Sequence, residues 1–237
     1  MDKISVCIAT YNGEKYIYQQ VKSILNQMSA TDELIISDDK SSDQTISILE
    51  SLKDDRIKIY INIKSKGPVA NFENALSKAS GKIIFLADQD DIWFNNKIQT
   101  HLELHAKYDL VISDANVVNE FGQLIYNSFF EERGSKSGLI NNLIKNSYIG
   151  CCMSFNQKIL NYALPFPTYI HMHDWWIGLI GELKGKTFFC NKKLMFYVRH
   201  QNNASPTLSK SGYSKFKRIK NRSQLLYGLF FIIFKQC

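Results

Sequence analysis

The sequence predicts an α/β fold in which helices flank a mostly parallel sheet, with a helical tail at the C-terminal end. Three observations predict it. Apolar runs of strand length alternate with segments of helical periodicity through the first half of the chain, as in βαβ units. Of the 237 residues, 45% are hydrophobic, enough for one large domain or a core domain with an appended segment. The last part of the sequence is a basic stretch followed by an apolar one.

In the first half, each predicted element follows from its own pattern. The predicted strands are KISVCIAT (3–10), ELIISD (33–38), RIKIYIN (56–62) and KIIFLA (82–87). The predicted helices are EKYIYQQVKSILNQ (14–27), SDQTISILESLKD (42–54), KGPVANFENALSKASG (66–81) and FNNKIQTHLELHAKY (94–108). In the third of these helices, Pro68 suits the first turn and Gly81 follows the end.

The second half of the chain alternates less regularly. We predict a strand and a hairpin element over residues 109–126, around Phe121 and Gly122. Two further helices are predicted over 138–146 and 174–183, and a strand over 193–198. The polar, turn-rich stretch 201–212 is predicted to be a hinge between the domain and its tail.

The cysteines and the lengths of the apolar stretches indicate the cellular compartment. The five cysteines are odd in number and include no CxxC pair, which favours reduced thiols in a cytosolic setting. We expect neither a secretory leader nor a transmembrane helix. The longest apolar stretch, residues 225–234, is about half of the roughly 20 residues that spanning requires.

The net charge of +7 is concentrated near the C-terminal end, where KFKRIKNR (215–222) precedes LLYGLFFIIF (225–234). A basic cluster followed by aromatic and aliphatic residues is typical of a helix lying in the surface of an anionic membrane. The alternative is a helix that packs on the core and presents a basic face to solvent. Nucleic-acid binding is less favoured, because the other basic residues are scattered and no recognition motif is present.

Carboxylates follow the predicted strands. FLADQDDIW places Asp88, Asp90 and Asp91 after the fourth strand, and SDDKSSDQT places Asp38 and Asp39 after the second. In a parallel sheet these ends share one edge, where ligands bind. Carboxylates gathered there repel one another unless a cation or a hydrogen-bonding ligand offsets their charge. The D-x-D pair suits Mg²⁺ or Mn²⁺; turns and helix caps are the alternative, for Asp91 in particular.

Taken together, three segments carry a specific resemblance: ISVCIATYNGEKYI, ELIISDDKSSDQT and GKIIFLADQDDIW, in that order and at that spacing. They closely resemble the family 2 glycosyltransferases, and YIGCCMSFN, HDWWIGL and YVRHQNNAS are similar to later segments of bacterial members that build surface polysaccharides such as O-antigen or capsule. The resemblance covers residues 3–205. It implies the Rossmann-like GT-A (nucleotide-diphospho-sugar transferase) fold over 1–205, with a nucleotide-sugar half (1–113), an acceptor and catalytic-base half (114–205) and the tail (206–237).

The resemblance also implies roles for individual residues. Ala9, Tyr11 and Glu14 would contact the nucleoside, and Asp38 or Asp39 the base. Asp88 would lie at the ribose and diphosphate, Asp90 at a Mn²⁺ or Mg²⁺ ion, with His200 completing the metal site and Arg199 offsetting leaving-group charge. Asp174 would be the general base, although many members have Glu-Asp where this chain has His173-Asp174. The structural alternative for Asp174 is an N-cap of the following helix.

Tryptophans are candidates for the acceptor site, because their rings stack on sugar faces. Trp175 and Trp176 are the candidates, ahead of Trp93, and core packing is the alternative for all three. The implied activity is inverting, metal-dependent transfer of a glucosyl, galactosyl or rhamnosyl unit from a UDP- or dTDP-sugar to a lipid-diphosphate-linked acceptor, on the cytoplasmic face of the inner membrane. Two alternatives stay open: a non-catalytic sugar-nucleotide-binding protein, and a nucleotidylyltransferase, which is less favoured because TYNGEKY is not a Gly-rich, basic phosphate loop.

Overall fold

A computed structural model describes residues 2–201, 203 and 214–234, and within them nine strands form a single sheet. The strands are β1 (Ile4–Thr10), β2 (Glu33–Asp38), β3 (Ile57–Ile61), β4 (Ile83–Asp88), β5 (Ile92–Trp93), β6 (Leu110–Asn119), β7 (Leu124–Tyr126), β8 (Met153–Asn156) and β9 (Thr187–Arg199). The helices are α1 (Ile17–Leu25), α2 (Thr45–Ser51), α3 (Pro68–Leu76), α4 (Lys97–Leu104), α5 (Phe129–Arg133), α6 (Leu139–Ile144), α7 (Gln157–Ala163), α8 (His173–Lys184) and α9 (Lys215–Phe234), with a 3₁₀ turn at Gly150–Cys152.

The strand order, β3-β2-β1-β4-β8-β6-β9-β5 with β7 beside β6, creates the site. The chain builds outward from β1 to β3 and then returns to place β4 on the other side of β1, so the topology reverses between β1 and β4. Register there pairs Thr10 with Asp38 and Ala9 with Asp88. The carboxyl ends of β1, β2 and β4 therefore meet at one edge.

The predicted α/β fold with a mostly parallel sheet is confirmed, and three short strands are exceptions. β8 runs antiparallel between β4 and β6, β5 is antiparallel to β9, and β7 is antiparallel to β6. β5, α5 and α7 were not predicted, because each is short and its pattern is weak. β9 is longer than the predicted strand, and most predicted helices extend one to four residues beyond the observed ends.

Close packing of the loop between α3 and β4 on β1 depends on one glycine. A Cβ at Gly81 would lie 2.4 Å from the backbone carbon of Ile4 and 2.4 Å from the amide nitrogen of Ser5. The loop before β4 therefore passes directly over the backbone of β1, and a side chain at this position would force the two apart. The four described cysteines are buried free thiols.

The tail helix α9 packs on the core along one face. Leu225, Leu229 and Ile232 are buried, and a Cβ at Gly228 would lie 2.9 Å from the Trp176 ring. The opposite face exposes Phe230, and it also exposes other large apolar side chains: Phe216, Ile219, Leu226, Tyr227, Phe231, Ile233 and Phe234. The helix thus combines features of both alternatives. Among the described residues, none of the helices meets the length and hydropathy needed to span a bilayer. Apart from Gln201 and Asn203, the predicted hinge lies outside the described residues.

Candidate active site

A cleft of about 850 Å³ opens at the carboxyl edge of the sheet. One wall is formed by the ends of β1 and β4 and by the loops that follow β1 and β2. The other wall contains the end of α5, the segment 144–150, the start of α8 and the first turns of α9. The two walls differ in charge, because carboxylates are concentrated on the first and cations on the second.

Four of the predicted donor-binding residues line the strand-end wall: Ala9, Tyr11, Asp39 and Asp88. Tyr11 is half exposed, and its amide donates to Gln89 Oε1 at 2.9 Å. Glu14 is placed differently. It is exposed, and its carboxylate accepts from the amide of Gln44 at the start of α2 at 2.9 Å, so it orders the loop beside the cleft.

The alternatives Asp38 and Asp39 occupy different environments. Asp38 is fully buried, and its oxygens accept from Thr10 Oγ1 at 2.7 Å and from Ser41 N and Oγ at 2.7 and 2.6 Å. Asp39 lines the cleft and accepts from Asn62 Nδ2 at 2.5 Å and Gly67 N at 2.7 Å. Asp38 therefore holds its own loop together, whereas Asp39 reaches the cleft wall.

The predicted metal residues meet although they are far apart in sequence. Asp90 Oδ2 accepts from His200 Nε2 at 2.7 Å and from Asn203 Nδ2 at 3.1 Å. The imidazole of His200 stacks on Tyr16, with ring centroids 4.6 Å apart. Pairing of β5 with β9 produces this contact, because Ile92 lies opposite Phe196. Asn203 and Tyr16 were not predicted, since neither belongs to a motif that signals a ligand.

A second carboxylate cluster lies behind the cleft wall. Ligand atoms of Asp88, Asp91 and Cys151 lie within 4.8 Å of one another. Burial, together with the charge of Asp90, raises the pKa of Asp88 to about 7, and raises that of Asp91 well above its usual range. Asp91 Oδ1 accepts from the amide of Val198 at 3.0 Å, so it joins β9 to the D-x-D loop and is not a helix cap.

The thiol of Cys151 argues against a magnesium or manganese site inside that cluster. Burial raises the pKa of Cys151 well above its ordinary value, so the side chain stays a protonated thiol at neutral pH. Mg²⁺ and Mn²⁺ prefer oxygen ligands, with imidazole acceptable to Mn²⁺. By ligand type, the carboxylates of Asp88 and Asp90 and the imidazole of His200 suit such an ion better than the buried cluster does, although among the described residues only the cluster has its ligand atoms all within 4.8 Å of one another.

Asp174 lies across the cleft from these carboxylates. It is the second residue of α8, 7% exposed, and its Oδ1 accepts from the amide of Trp175 at 2.7 Å. The helix N-cap is Met172. Burial raises the pKa of Asp174 to about 6, opposed by backbone hydrogen bonds from Trp175 and Gly150 and by the charge of Arg133. A carboxyl with this pKa can accept a proton near neutral pH.

The flanking aromatic residues divide between the cleft and the core. Trp175 lines the cleft, and its indole N–H donates to Asn142 O at 2.8 Å. Trp176 is 1% exposed and donates to Ala163 O at 3.0 Å, so its ring packs in the core against α9. His173 lines the cleft and stacks on Phe72, with centroids 4.1 Å apart. Burial lowers the pKa of His173 to about 3, which keeps the ring neutral.

The two remaining candidates, Arg199 and Trp93, do not line the cleft. The guanidinium of Arg199 is 6.0 Å from the ring centroid of Tyr197, which lines the cleft. Trp93 is 2% exposed and packs in the core, with Lys97 Nζ 4.1 Å from its ring centroid. Sequence reasoning missed Arg133, Asn71 and Phe72 in the cleft wall, because they belong to no local motif.

Comparisons with solved structures identify the fold. A structure of TarS from S. aureus in complex with UDP-GlcNAc superposes with a TM-score of 0.74 at 20% identity, over 96% of this chain and 66% of that one. The mannosyltransferase PcManGT of Pyrobaculum calidifontis, solved with GDP-Man and Mn²⁺, gives 0.62 at 18% identity, over 100% of this chain and 65% of that one. The fold is therefore that of the GT-A glycosyltransferases.

The family follows from the sequence comparisons. Residues 5–163 match the model of glycosyl transferase family 2, and the chain belongs to that family. WfgD of Escherichia coli, a UDP-Glc:α-D-GlcNAc-diphosphoundecaprenol β-1,3-glucosyltransferase, is 28% identical over 94% of this chain and 85% of its own length. RfbG of Shigella flexneri, a dTDP-rhamnosyl transferase, is 27% identical over 91% of this chain and 80% of its own length.

Proposed function

We propose that this protein is an inverting glycosyltransferase that moves a hexosyl unit from a UDP- or dTDP-sugar to a lipid-diphosphate-linked saccharide in bacterial surface polysaccharide synthesis. One observation carries the proposal: a buried carboxylate with a pKa of about 6, Asp174, faces the paired carboxylates Asp88 and Asp90 across one cleft. Two relatives support the choice of substrates. WfgD is named as a glucosyltransferase that uses UDP-Glc and a diphosphoundecaprenol-linked sugar, and RfbG is named as a dTDP-rhamnosyl transferase.

In the proposed reaction, Asp174 acts as the general base. An acceptor hydroxyl forms a bond to the anomeric carbon while the bond from that carbon to the diphosphate oxygen breaks. The hydroxyl proton goes to the carboxylate of Asp174, and the bonding pair leaves with the nucleoside diphosphate. A single displacement inverts the anomeric configuration. The amides of Trp175 and Gly150 orient the carboxylate, and burial makes it a stronger base than an exposed aspartate.

The donor would lie along the strand-end wall, with Ala9, Tyr11 and Asp39 near the nucleoside and Asp88 near the ribose and diphosphate. Asp90 and His200 would hold Mn²⁺ or Mg²⁺, which offsets the negative charge that develops on the leaving diphosphate. His200 is held in place by the stacked ring of Tyr16 and by Asn203 Oδ1, which accepts from its backbone amide. Arg199 would add positive charge from the end of β9, and Trp175 would contact the acceptor sugar. Trp176 would support the site by packing in the core, and Glu14 by ordering the loop beside the cleft.

The protein is proposed to act as a peripheral protein on the cytoplasmic face of the inner membrane, where a lipid-linked acceptor lies. The exposed face of α9 supports this: Phe230, Phe231 and Phe234 are 57%, 54% and 72% exposed. Basic residues fill the first turns of the same helix. Apolar side chains next to cations suit the surface of an anionic bilayer.

The proposed function is tested by measuring nucleoside diphosphate release from UDP-, dTDP- and GDP-sugars with Mn²⁺, Mg²⁺ or chelator. Each mixture is run with and without an alkyl-diphosphate-linked N-acetylhexosamine. We expect one donor of the UDP or dTDP class to release its nucleotide, dependent on acceptor and metal, with an inverted glycosidic product by NMR. Donor binding without release in any mixture would favour a sugar-nucleotide-binding protein instead.

A further inference from the structure

A cluster of cations lies on the wall opposite the strand ends. Four basic side chains line this part of the cleft: Arg133 at the end of α5, Lys145 just after α6, and Arg218 and Arg222 in the first turns of α9. α5 and α6 follow one another in the chain, whereas α9 comes much later. We call these four residues the basic wall.

Three of these residues make hydrogen bonds to main-chain carbonyls. Arg133 donates to Asn146 O at 3.1 and 3.0 Å, and Lys145 donates to Arg133 O. Arg222 donates to Leu143 O at 3.0 Å and to Ile144 O at 2.5 Å. These carbonyls position the side chains without cancelling their charge. Fixed cations with hydrogen-bonding capacity in a cleft are the usual binding groups for phosphate oxygens.

The basic wall begins next to the proposed base. The charge of Arg133 acts on Asp174 and opposes the rise in its pKa. Arg222 connects α9 to the end of α6, so it continues the wall from α5 and α6 onto α9. An acceptor hydroxyl at Asp174 would therefore place the rest of the acceptor against these cations.

Exposed aliphatic side chains border the basic wall. Ile140 and Ile144 on α6 are 73% and 64% exposed, and Ile219 on α9 is 65% exposed. Ile144 also lines the cleft. Cations beside exposed aliphatic residues fit an anion that carries a hydrocarbon chain better than a water-soluble nucleotide.

We propose that the basic wall binds the diphosphate of the lipid-linked acceptor, and that Ile140, Ile144 and Ile219 contact the first part of its hydrocarbon chain. This rests on the proposed function. It implies two diphosphate subsites in one cleft: the donor's at the strand ends, where carboxylates require a metal ion, and the acceptor's on fixed cations. It also implies that the accepting sugar is bonded to the diphosphate, so the substrate is a product of sugar-1-phosphate transfer to a polyprenyl phosphate.

The test compares two acceptors with the same sugar and alkyl chain, one with a diphosphate between them and one with a neutral ether. We expect Arg222→Gln and Arg218→Gln to lower the ratio of kcat/KM for the charged over the neutral acceptor by about 10- to 50-fold. Lys192→Gln, at an exposed lysine of β9 outside the cleft lining, should leave the ratio unchanged. Arg222→Lys should restore part of it. A ratio that is equal in all variants would overturn the proposal.

A second measurement needs no turnover. Titration calorimetry of the sugar-diphosphate-alkyl lipid should give a Kd about tenfold higher for Arg218→Gln than for Lys192→Gln, and equal values would overturn the proposal. A matching rise in the KM for the donor would assign the cations to the donor diphosphate and also overturn it. Lipid binding that depends on the basic wall, without transfer from any donor, would instead reject the proposed function.

Discussion

The two walls of the cleft are built in different ways. The strand-end wall comes largely from short motifs that follow β1, β2 and β4. Its charged side chains are Asp39, Asp88 and Asp90, together with Lys66 beside Tyr11. The opposite wall is assembled from α5, α6, α8 and α9, and it is predominantly basic and aromatic. A carboxylate wall accepts a diphosphate only with a cation, whereas a basic wall accepts one directly. This division would let one cleft hold two anionic substrates and keep them apart.

The largest expected effect concerns Asp174, which among the described cleft-lining residues is the one carboxylate on the basic side. We expect Asp174→Asn to lower kcat by roughly 10²- to 10⁴-fold, because the amide cannot accept the hydroxyl proton. The KM for the donor should change little. Steady-state kinetics with varied donor and fixed acceptor measures both, and turnover retained within a few fold of wild type would remove Asp174 as the base.

The control for this variant is the pH dependence of activity and stability, measured for wild type and for Asp174→Asn. The base works deprotonated, so below a pKa of about 6 kcat/KM should fall by at least about tenfold per pH unit. Because the folded-state pKa is raised from 3.8, the favourable effect of protonation on stability is present below about pH 4 and lost as pH rises through 6. At pH 7, Asp174→Asn should therefore be more stable than wild type, by roughly 1 to 3 kcal/mol. A less stable variant would mean that its lost activity reflects damage to the fold.

The next effect concerns the opposite wall and its need for a cation. We expect Asp90→Asn to lower activity by roughly 10²-fold or more, because the charge on the leaving diphosphate is then poorly offset. Chelator should abolish wild-type activity, and Mn²⁺ should restore it. Titration of activity against Mn²⁺ concentration checks both expectations.

His200→Gln should have a smaller effect than Asp90→Asn on the same metal site. His200 lies 2.7 Å from Asp90 Oδ2, so its loss should raise the Mn²⁺ concentration for half-maximal activity by about tenfold. The activity at saturating metal should recover much of the wild-type value. An unchanged metal requirement in both variants would show that the carboxylate wall binds the donor without a metal ion.

The strand-end wall could be predicted from sequence because its residues directly follow β1, β2 and β4. These strands are recognisable as apolar runs that alternate with segments of helical periodicity. Asp88 is the last residue of β4 and Asp90 follows two residues later, so their proximity needs no knowledge of the rest of the fold. The choice between Asp38 and Asp39 could not be predicted, since it depends on Thr10 and Ser41 capturing the first carboxylate.

The basic wall is the part that sequence could not predict. Arg133 and Arg222 are separated by most of the second half of the chain. Arg222 belongs to the basic stretch 215–222, which predicted contact with a membrane, and nothing in the sequence connects that stretch with Arg133. They come together because Leu225, Leu229 and Ile232 seat α9 on the core. The same seating explains why Trp176, predicted as an acceptor contact, lies in the core: α9 covers it at Gly228. For long-range packing of this kind, periodicity indicates that a face is buried but not what covers it.

The smallest expected effect concerns the outer face of α9, which extends the basic wall toward the membrane. We expect the triple variant Phe230→Ser, Phe231→Ser and Phe234→Ser to weaken binding to anionic vesicles by roughly tenfold, because less apolar surface enters the bilayer. Sedimentation with vesicles of increasing anionic lipid content measures it. Phe121→Ser, at an exposed turn position between β6 and β7, is the matched control. Since the three side chains lie off the buried face, the melting temperature should stay close to that of wild type. Equal sedimentation of the triple variant and the control would leave α9 as a helix that completes the basic wall and has no role at the membrane.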